Sequence, residues 1–179
     1  MRVVSGSARG RRLGAPDGHD TRPTSDRVRE AVFNSLYSLG GVEGARVLDL
    51  FAGTGAMGIE ALSRGASAAV FVETARPALE SIRANLEITR LTDRATVVPG
   101  DVLTYLRGDT GGFAIAVIDP PYSYDGWDDL LAMVPAELVV IESDREIAVP
   151  ARWMVHRAKR YGTTVVTLAS TDQSRSPRS

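Results

Sequence analysis

The chain has no cysteine, which excludes disulfide bonds, thiolate zinc sites and cysteine nucleophiles. Its only two histidines, His19 and His156, lie far apart, so a histidine metal site is not expected. No apolar run approaches the roughly 20 residues that a membrane-spanning helix needs. The N-terminal sequence MRVVSGSARGRR lacks the apolar stretch of a secretory signal. We therefore expect a cytoplasmic protein without a metal ion or a membrane anchor.

Lysine is almost absent, because Lys159 is the single lysine and the other basic residues are arginines. The formal net charge is −1, which argues against a general nucleic-acid coat. Residues 1–30 hold seven arginines against four acidic residues, so they carry +3 and the remainder carries −4. A basic segment on an acidic body is compatible with phosphate binding, and an ordinary solvated surface explains it equally well.

The length of 179 residues suits one well-packed domain. Short extended pieces broken by Gly and Ser predict that residues 1–23 form a small basic β-hairpin arm. A helix is expected from Thr24 or Ser25 to Leu39, stopped by two glycines. The main domain is expected to span residues 24–169, and residues 170–179 are expected to form a disordered polar tail.

Short apolar runs alternate with helical segments from residue 45 onward. Runs that are apolar throughout are typical of parallel strands buried on both faces. Two later strands separated only by Gly162 predict an antiparallel hairpin at the edge of the sheet. The predicted fold class is α/β, with a doubly wound, mostly parallel seven-stranded sheet. The predicted strands are 45–51, 68–73, 95–101, 113–119, 137–143, 153–161 and 163–170.

A glycine-rich loop, DLFAGTGAMG, follows the first strand. Its residues Gly53, Gly55 and Gly58 match G-x-G-x-x-G, and Glu73 comes twenty residues after Gly53, at the end of the second strand. Glycines let a ligand approach the backbone, and a carboxylate accepts hydrogen bonds from ribose hydroxyls. The spacing alone is typical of a dinucleotide site, and the glycines could also serve only a tight turn.

Acidic residues at the ends of adjacent strands distinguish between cofactors. Asp49 lies at the end of the first strand, where a dinucleotide would place its doubly negative pyrophosphate. Asp101 closes the third strand and adds an acceptor for an adenine amine. These carboxylates suit a cationic nucleoside, so the pattern favours S-adenosylmethionine.

The stretch VIDPPYSYDGW ends the fourth strand, which a doubly wound sheet places beside the first. The Asp119 carboxylate and the carbonyl of Pro120 could both accept hydrogens from an exocyclic amine on a base, which would localise its lone pair. Tyr122 offers a flat surface on which an unstacked base could lie. The alternative is a turn that starts a helix and carries a half-buried tyrosine.

With these motifs the chain resembles a Rossmann-like class I methyltransferase, specifically the 16S ribosomal RNA guanine-N2 methyltransferase family often called RsmD. The resemblance covers nearly the whole chain, including TRPTSDRVREAVFNSL, DLFAGTGAMGIEALSRGA, FVE, DPPY and RYGTT. It implies methyl transfer from S-adenosylmethionine to N2 of one guanine in the small ribosomal subunit, without a metal. One departure is Ala75, where the family often has a second acid.

The resemblance also implies roles for individual residues. The catalytic residues would be Asp119, Pro120 and Tyr122. Ribosomal RNA would contact Arg9, Arg11, Arg12, Arg22 and Arg27, and Pro23 would line the site. Cofactor contacts would come from Thr24, Asp49, Phe51, Gly53, Gly55, Glu73, Asp101 and Val102.

Three other functions remain open from the sequence. A DNA adenine-N6 methyltransferase would use the same amine clamp, although 179 residues leave no room for a separate recognition domain. A nicotinamide oxidoreductase fits the glycine spacing but gives the DPPY motif no role. An RNA-binding module without catalysis fits the N-terminal arginines. A monomer is expected.

Overall fold

The computed structural model describes residues 1–15 and 26–171. Within these residues the main elements are seven strands and five α-helices. The strands are β1 Arg46–Leu50, β2 Ala68–Glu73, β3 Ala95–Pro99, β4 Phe113–Ile118, β5 Ala136–Ser143, β6 Met154–Tyr161 and β7 Thr164–Ser170. The helices are α1 Asp26–Ser38, α2 Ala56–Ser63, α3 Arg76–Thr89, α4 Val102–Leu106 and α5 Trp127–Met133.

All seven strands form one sheet in the order β3-β2-β1-β4-β5-β7-β6. Neighbouring strands among β1 to β5 are parallel, whereas β7 runs antiparallel to both β5 and β6. The predicted seven-stranded α/β sheet with an antiparallel C-terminal hairpin is therefore confirmed. The strand order reverses between β1 and β4, and ligands bind at this position in open α/β sheets.

Helices cover both faces of the sheet because side chains alternate across each strand. Val47 of β1 packs into a core with α1, α2 and α3, and its neighbour Leu48 packs into a second core with α4 and α5. The sheet therefore lies between two buried cores, one on each face.

One strand, β3, differs from the expectation that every apolar run is buried on both faces, whereas β6 lies at the edge that the predicted hairpin implies. β3 is an edge strand with no fully buried residue, because it pairs with β2 alone. β6 forms the other edge and is mostly exposed, whereas β7 inserts between β5 and β6. The ladder of β7 continues through Ser170, which pairs with Leu138 and Met154, so the ordered domain extends past residue 169.

Helix α1 begins at Asp26 and ends at Ser38, close to the predicted Leu39. Gly40 and Gly41 both take positive φ angles, and Gly41 N–H donates to the Leu36 carbonyl at 2.9 Å. This left-handed backbone terminates the helix at little cost because glycine has no Cβ. The expected first helical residue, at 24 or 25, lies outside the described residues.

Residues 1–15 lie against the domain. Arg2 and Arg12 form an antiparallel bridge, and Val3 N–H donates to the Arg11 carbonyl at 3.0 Å. The side chains of Val3, Ala8 and Leu13 are buried in the core under α1, α2 and α3. The expected boundary at residue 23 lies outside the described residues, so a separate arm stays a prediction.

A buried ion pair attaches this N-terminal segment to the helices. The side chain of Arg29 on α1 has no exposed surface, and its Nε lies 3.3 Å from the Glu60 carboxylate on α2. The two Glu60 oxygens also accept from the backbone N–H groups of Val4 at 2.8 Å and Ser5 at 3.0 Å. The Nε of Arg64 also lies 2.7 Å from a carboxylate oxygen of Glu60. Removing either member of a buried ion pair is strongly destabilising, because its partner is left uncompensated.

Candidate active site

Three acidic residues lie at the carboxyl edge of the central strands. Asp49 is the fourth residue of β1, Asp119 follows the last residue of β4, and Glu142 is the seventh residue of β5. The register aligns them, because Leu50 pairs with Ile118 and Ile118 pairs with Ile141. The topological switch point therefore carries a concentration of negative charge.

Asp49 is buried, and its Oδ2 accepts from Gly58 N–H at the start of α2 at 2.8 Å. Burial raises the pKa of Asp49 to about 8; the Gly58 hydrogen bond opposes this shift, and the charges of Glu142 and Glu73 add to it. The carboxyl group therefore holds a proton at neutral pH unless a cation lies nearby. Its bond to Gly58 also gives Asp49 a structural role in fixing α2 on β1.

Asp119 is half-buried, and its N–H lies 3.5 Å from the Leu50 carbonyl of β1. Burial raises the pKa of Asp119 well above its usual range, and the nearby charges of Glu142 and Asp49 raise it further. Pro120, the next residue in the chain, is buried. This pair thus stands beside β1 at the switch point, as expected from the sequence.

The glycine loop is held by Glu73 at the end of β2. Its Oε2 accepts from Gly53 N–H at 2.8 Å, and its Oε1 accepts from the N–H groups of Thr74 and Ala75, both at 2.8 Å. Gly53 and Gly55 take φ angles of 55° and 77°, in the left-handed region that glycine tolerates. Glu73 therefore shapes the loop whether or not it also binds a ribose.

Asp101 caps the N-terminus of α4. Its Oδ1 accepts from Thr104 N–H at 2.8 Å and from Thr104 Oγ1 at 3.0 Å. The backbone bond from Thr104 is the main reason why the pKa of Asp101 is lowered. The side chain is exposed and stays ionised at neutral pH, whereas the next residue, Val102, is buried.

An aromatic wall of Phe51, Tyr124 and Trp127 stands beside these acids. Phe51 contacts Tyr124 edge to face, with ring centroids 5.4 Å apart, and Tyr124 contacts Trp127 in the same way at 5.5 Å. Phe51 has a φ of 59°, which is uncommon for a residue with a side chain. Burial raises the pKa of Tyr124, and the charge of Asp101 contributes. The aromatic wall therefore lies near Asp101, the acid that was expected to contact the adenine.

The DPPY loop is fixed at several points. Tyr124 N–H donates to the Pro121 carbonyl at 2.8 Å, which closes a turn. Tyr122 is 38% exposed, and its hydroxyl lies 3.1 Å from Thr164 Oγ1 at the start of β7. Arg145 donates to the carbonyls of Tyr122 and Tyr124 at 3.4 and 3.3 Å. Tyr122 is thus partly exposed, and both its hydroxyl and its carbonyl have partners in the fold.

Comparison with known proteins places the chain among its relatives. A family model described as Conserved hypothetical protein 95 matches residues 1–170. The Escherichia coli protein named Ribosomal RNA small subunit methyltransferase D is 35% identical over 172 residues, covering 90% of this chain and 85% of that protein. The chain belongs to the RsmD family. The family expected from the motifs is therefore confirmed.

Further relatives agree with this membership. The Bacillus subtilis protein YlbH is 37% identical over 181 residues, covering 94% of this chain and 97% of that protein. The solved structure of Escherichia coli yhhF superposes with a TM-score of 0.84 at 34% identity, covering 95% and 97% of the two chains. TrmN from Thermus thermophilus shares only the fold, at a TM-score of 0.65 and 20% identity, over 80% of this chain and 48% of that one. The Rossmann-like class I fold is thus confirmed.

The expected RNA-binding residues of this RsmD-family chain lie in different places. Arg9 and Arg12 are exposed on the N-terminal segment, whereas Arg11 donates to the Ile88 carbonyl at the end of α3. Arg27 is exposed on the first turn of α1. Arg22, Pro23 and Thr24 lie outside the described residues.

Sequence reasoning missed Glu142, Tyr124 and Arg145. Glu142 had a partial signal, because it is an acid inside the otherwise apolar run LVVIES, although its alignment with Asp119 depends on the strand register. Tyr124 and Arg145 had none, because their contacts with Phe51 and the DPPY loop depend on the tertiary structure.

Among residues 1–15 and 26–171, no three metal-ligating side chains cluster as an ion would require. In the same part of the chain, no helix has both the length and the apolar character needed to cross a bilayer.

Proposed function

We propose that this chain transfers a methyl group from S-adenosylmethionine to the exocyclic N2 amine of one guanine in 16S ribosomal RNA. The observation that carries the proposal is the position of Asp119-Pro120 at the switch point, beside the buried Asp49 and the glycine loop. The names of the relatives supply the RNA class, since one is a ribosomal RNA small subunit methyltransferase.

The charges at this edge fit a cationic cofactor. Asp49 and Asp119 both have raised pKa values because ionisation is costly in their surroundings, and a nearby positive charge would reduce that cost. A dinucleotide pyrophosphate would add negative charge to the same place. S-adenosylmethionine, when bound, supplies an electrophilic methyl group on a positively charged sulfur.

Elements of the chain would hold this cofactor at the ends of three adjacent strands. We infer that Asp49, Phe51, Gly53 and Gly55 contact its methionine part and Glu73 its ribose. Asp101 and Val102 would contact the adenine, with Thr24 completing the site. The Ala75 N–H is already bonded to Glu73, so the missing second acid leaves no unsatisfied group at that backbone position.

The DPPY motif would prepare the guanine amine. Asp119 and the carbonyl of Pro120 accept its two hydrogens, which favours a localised lone pair on nitrogen. Tyr122 stacks on the base after it leaves its helix or loop. The amine nitrogen would bond to the methyl carbon as the carbon–sulfur bond breaks, and the methylated amine would then release one proton to water. The surrounding RNA is contacted by five arginines, which are Arg9, Arg11, Arg12, Arg22 and Arg27.

Replacing Asp119 tests the clamp. We expect Asp119→Ala to lower methyl transfer into undermethylated small subunits by about 10²–10³-fold, because one of two aligned acceptors is lost. Its affinity for S-adenosylmethionine, measured by calorimetry, should survive. Asp125→Ala removes an exposed acid six residues later and serves as the matched control. Normal turnover by Asp119→Ala would refute the clamp.

Two further arms separate the other candidate functions. Methyl transfer to duplex DNA rather than to small subunits would favour a DNA adenine methyltransferase. Binding of NADH in place of S-adenosylmethionine would favour an oxidoreductase. RNA binding without any cofactor affinity would leave only a binding module.

A further inference from the structure

An open groove of about 430 Å³ separates α1 from the edge strand β6. Three of its lining residues are cations: Arg27 from the helix, and Arg157 and Lys159 from the strand. Asn34 and Tyr161 also line it, and the described lining residues include no carboxylate. Because the whole chain carries a net charge of −1, this groove is a local concentration of positive charge.

The groove is built by the side-chain alternation of β6. Arg157, Lys159 and Tyr161 are two residues apart, so they share one face of the strand. The face is turned toward α1, because Arg157 Nη1 donates to Ser35 Oγ of that helix at 3.1 Å. Lys159 Nζ lies 5.1 Å from the centre of the Tyr161 ring. Two cations and an aromatic ring therefore line one side in a row, opposite Arg27.

Protection of a sheet edge is the simplest role for cations on such a strand, since charged side chains deter pairing with another sheet. That role explains Arg157 and Lys159 but not the third cation on the facing helix. It also gives no reason for Tyr161 to border the groove. The arrangement resembles a phosphate-binding track, in which cations line both walls and an aromatic ring is within reach of a base.

The groove opens at the candidate active site. Tyr161 pairs with Thr164 across the turn between β6 and β7. Thr164 Oγ1 in turn lies 3.1 Å from the hydroxyl of Tyr122, three residues after Asp119. A strand of nucleic acid that leaves Tyr122 would therefore meet Tyr161 and then the row of cations.

We propose that this groove binds the phosphate backbone of the RNA that flanks the target nucleotide. The proposal rests on the proposed function for its choice of RNA, and it adds Arg157, Lys159 and Tyr161 to the RNA-contacting residues. Arg27 would contact the same track from the α1 side. The RNA-binding surface would then run from the DPPY loop along β6, which is the edge strand opposite β3.

Salt dependence of RNA affinity tests the groove. The double variant Arg157→Gln/Lys159→Gln should bind undermethylated small subunits more weakly than the wild type. Each lost phosphate contact should reduce the slope of log affinity against log salt by about 1, so the double variant should lose about 2. Its affinity for S-adenosylmethionine should be unchanged.

Two variants serve as controls. Arg83→Gln removes an exposed arginine on α3, which packs near β3 at the far edge of the sheet, and should leave the slope unchanged. Ser35→Ala removes the hydrogen bond to Arg157 but keeps the cation, and should also retain the slope. An unchanged slope in the double variant would overturn the proposal.

The partner class is decided by repeating the titration with protein-free 16S RNA. Loss of affinity for subunits but not for this RNA would assign the groove to a ribosomal protein and overturn the RNA assignment. The double variant could lower the slope of log affinity against log salt while the wild-type protein transfers no methyl group to guanine. That result would contradict the proposed function but would still support RNA binding by the groove.

Lys159 offers a second measurement because it is the only lysine in the chain. Acetylation by an amine-reactive reagent, followed by mass spectrometry, reports on this single side chain. We expect 16S RNA to protect Lys159 from acetylation at low salt and to lose that effect at high salt. Equal acetylation with and without RNA would contradict the proposal without any substitution.

Discussion

At the scale of single residues, Asp49 combines burial with an ionisable group. Its pKa of about 8 lies above the ordinary value of 3.8, so the folded chain binds more protons than the unfolded chain between these pH values. Stability is therefore full below about pH 4 for this group, and it is lost as the pH rises through about 8. In the proposed function a cationic cofactor would lie near this carboxyl group. The buried Asp49 would therefore favour cofactor binding, while it lowers the stability of the ligand-free protein as the pH rises.

The pH dependence of unfolding tests this property of Asp49. Urea unfolding of the ligand-free protein should give a lower unfolding free energy at pH 8 than at pH 6, by up to about 1.4 kcal/mol per pH unit from this group. Asp49→Asn cannot ionise but can still accept from Gly58 N–H through its amide oxygen. Its stability should change less over the same range. Parallel pH profiles for both proteins would contradict the raised pKa.

The sequence predicts the strand-end acids because each one ends or closely follows an apolar run. Asp49, Glu73, Asp101 and Asp119 were all recognised in this way. Glu142 was not, because its proximity to Asp119 follows from the register between Ile118 and Ile141, which the sequence alone does not determine. A one-residue slip would place it on the opposite face of the sheet.

At the scale of elements, the three glycines of the motif have different roles. Gly53 and Gly55 have positive φ angles, whereas Gly58 is an ordinary helical residue that needs to be small. A Cβ at Gly58 would lie 2.3 and 2.7 Å from ring atoms of Phe71 and 3.1 Å from Asp49 Oδ2. The close approach of α2 to β1 and β2 therefore depends on this glycine.

Gly58→Ala tests the packing of α2. Alanine favours a helix over glycine by about 1 kcal/mol, whereas overpacking against a buried ring costs typically 1–3 kcal/mol. We expect the clash to dominate and lower the unfolding free energy in urea titrations. Gly112→Ala is the control, because its added Cβ would meet open space. A Gly58→Ala protein as stable as the wild type would show that Phe71 yields.

Helices and strands were predictable where one pattern dominated. The hairpin of β6 and β7 followed from Gly162, and the parallel strands followed from their apolar runs. The position of β7 between β5 and β6 was not predicted, although MVHRAKRY is far more polar than TVVTLAS. That contrast identifies the exposed edge strand only after the sheet order is known.

At the scale of the whole molecule, residues 1–15 join the first core rather than project from it. Leu13 is buried there, and Glu60 binds the backbone of Val4 and Ser5. Both tryptophans, Trp127 and Trp153, lie in the second core on the opposite face of the sheet. Tryptophan fluorescence therefore reports on the second core, whereas the buried side chains of the N-terminal segment lie in the first core.

Leu13→Ala distinguishes a detachable arm from an integral part of the fold. If the segment unfolds with the domain, the substitution should lower the unfolding free energy by about 2–5 kcal/mol, the usual cost of truncating a buried leucine. Tryptophan fluorescence in urea should show the full loss, because unfolding is cooperative in a domain of this size. Arg12→Ala, an exposed neighbour, should change the stability little. If instead tryptophan fluorescence gave a wild-type midpoint while proteolysis near residue 13 became faster, the segment would unfold independently, as the sequence-based division at residue 23 implies.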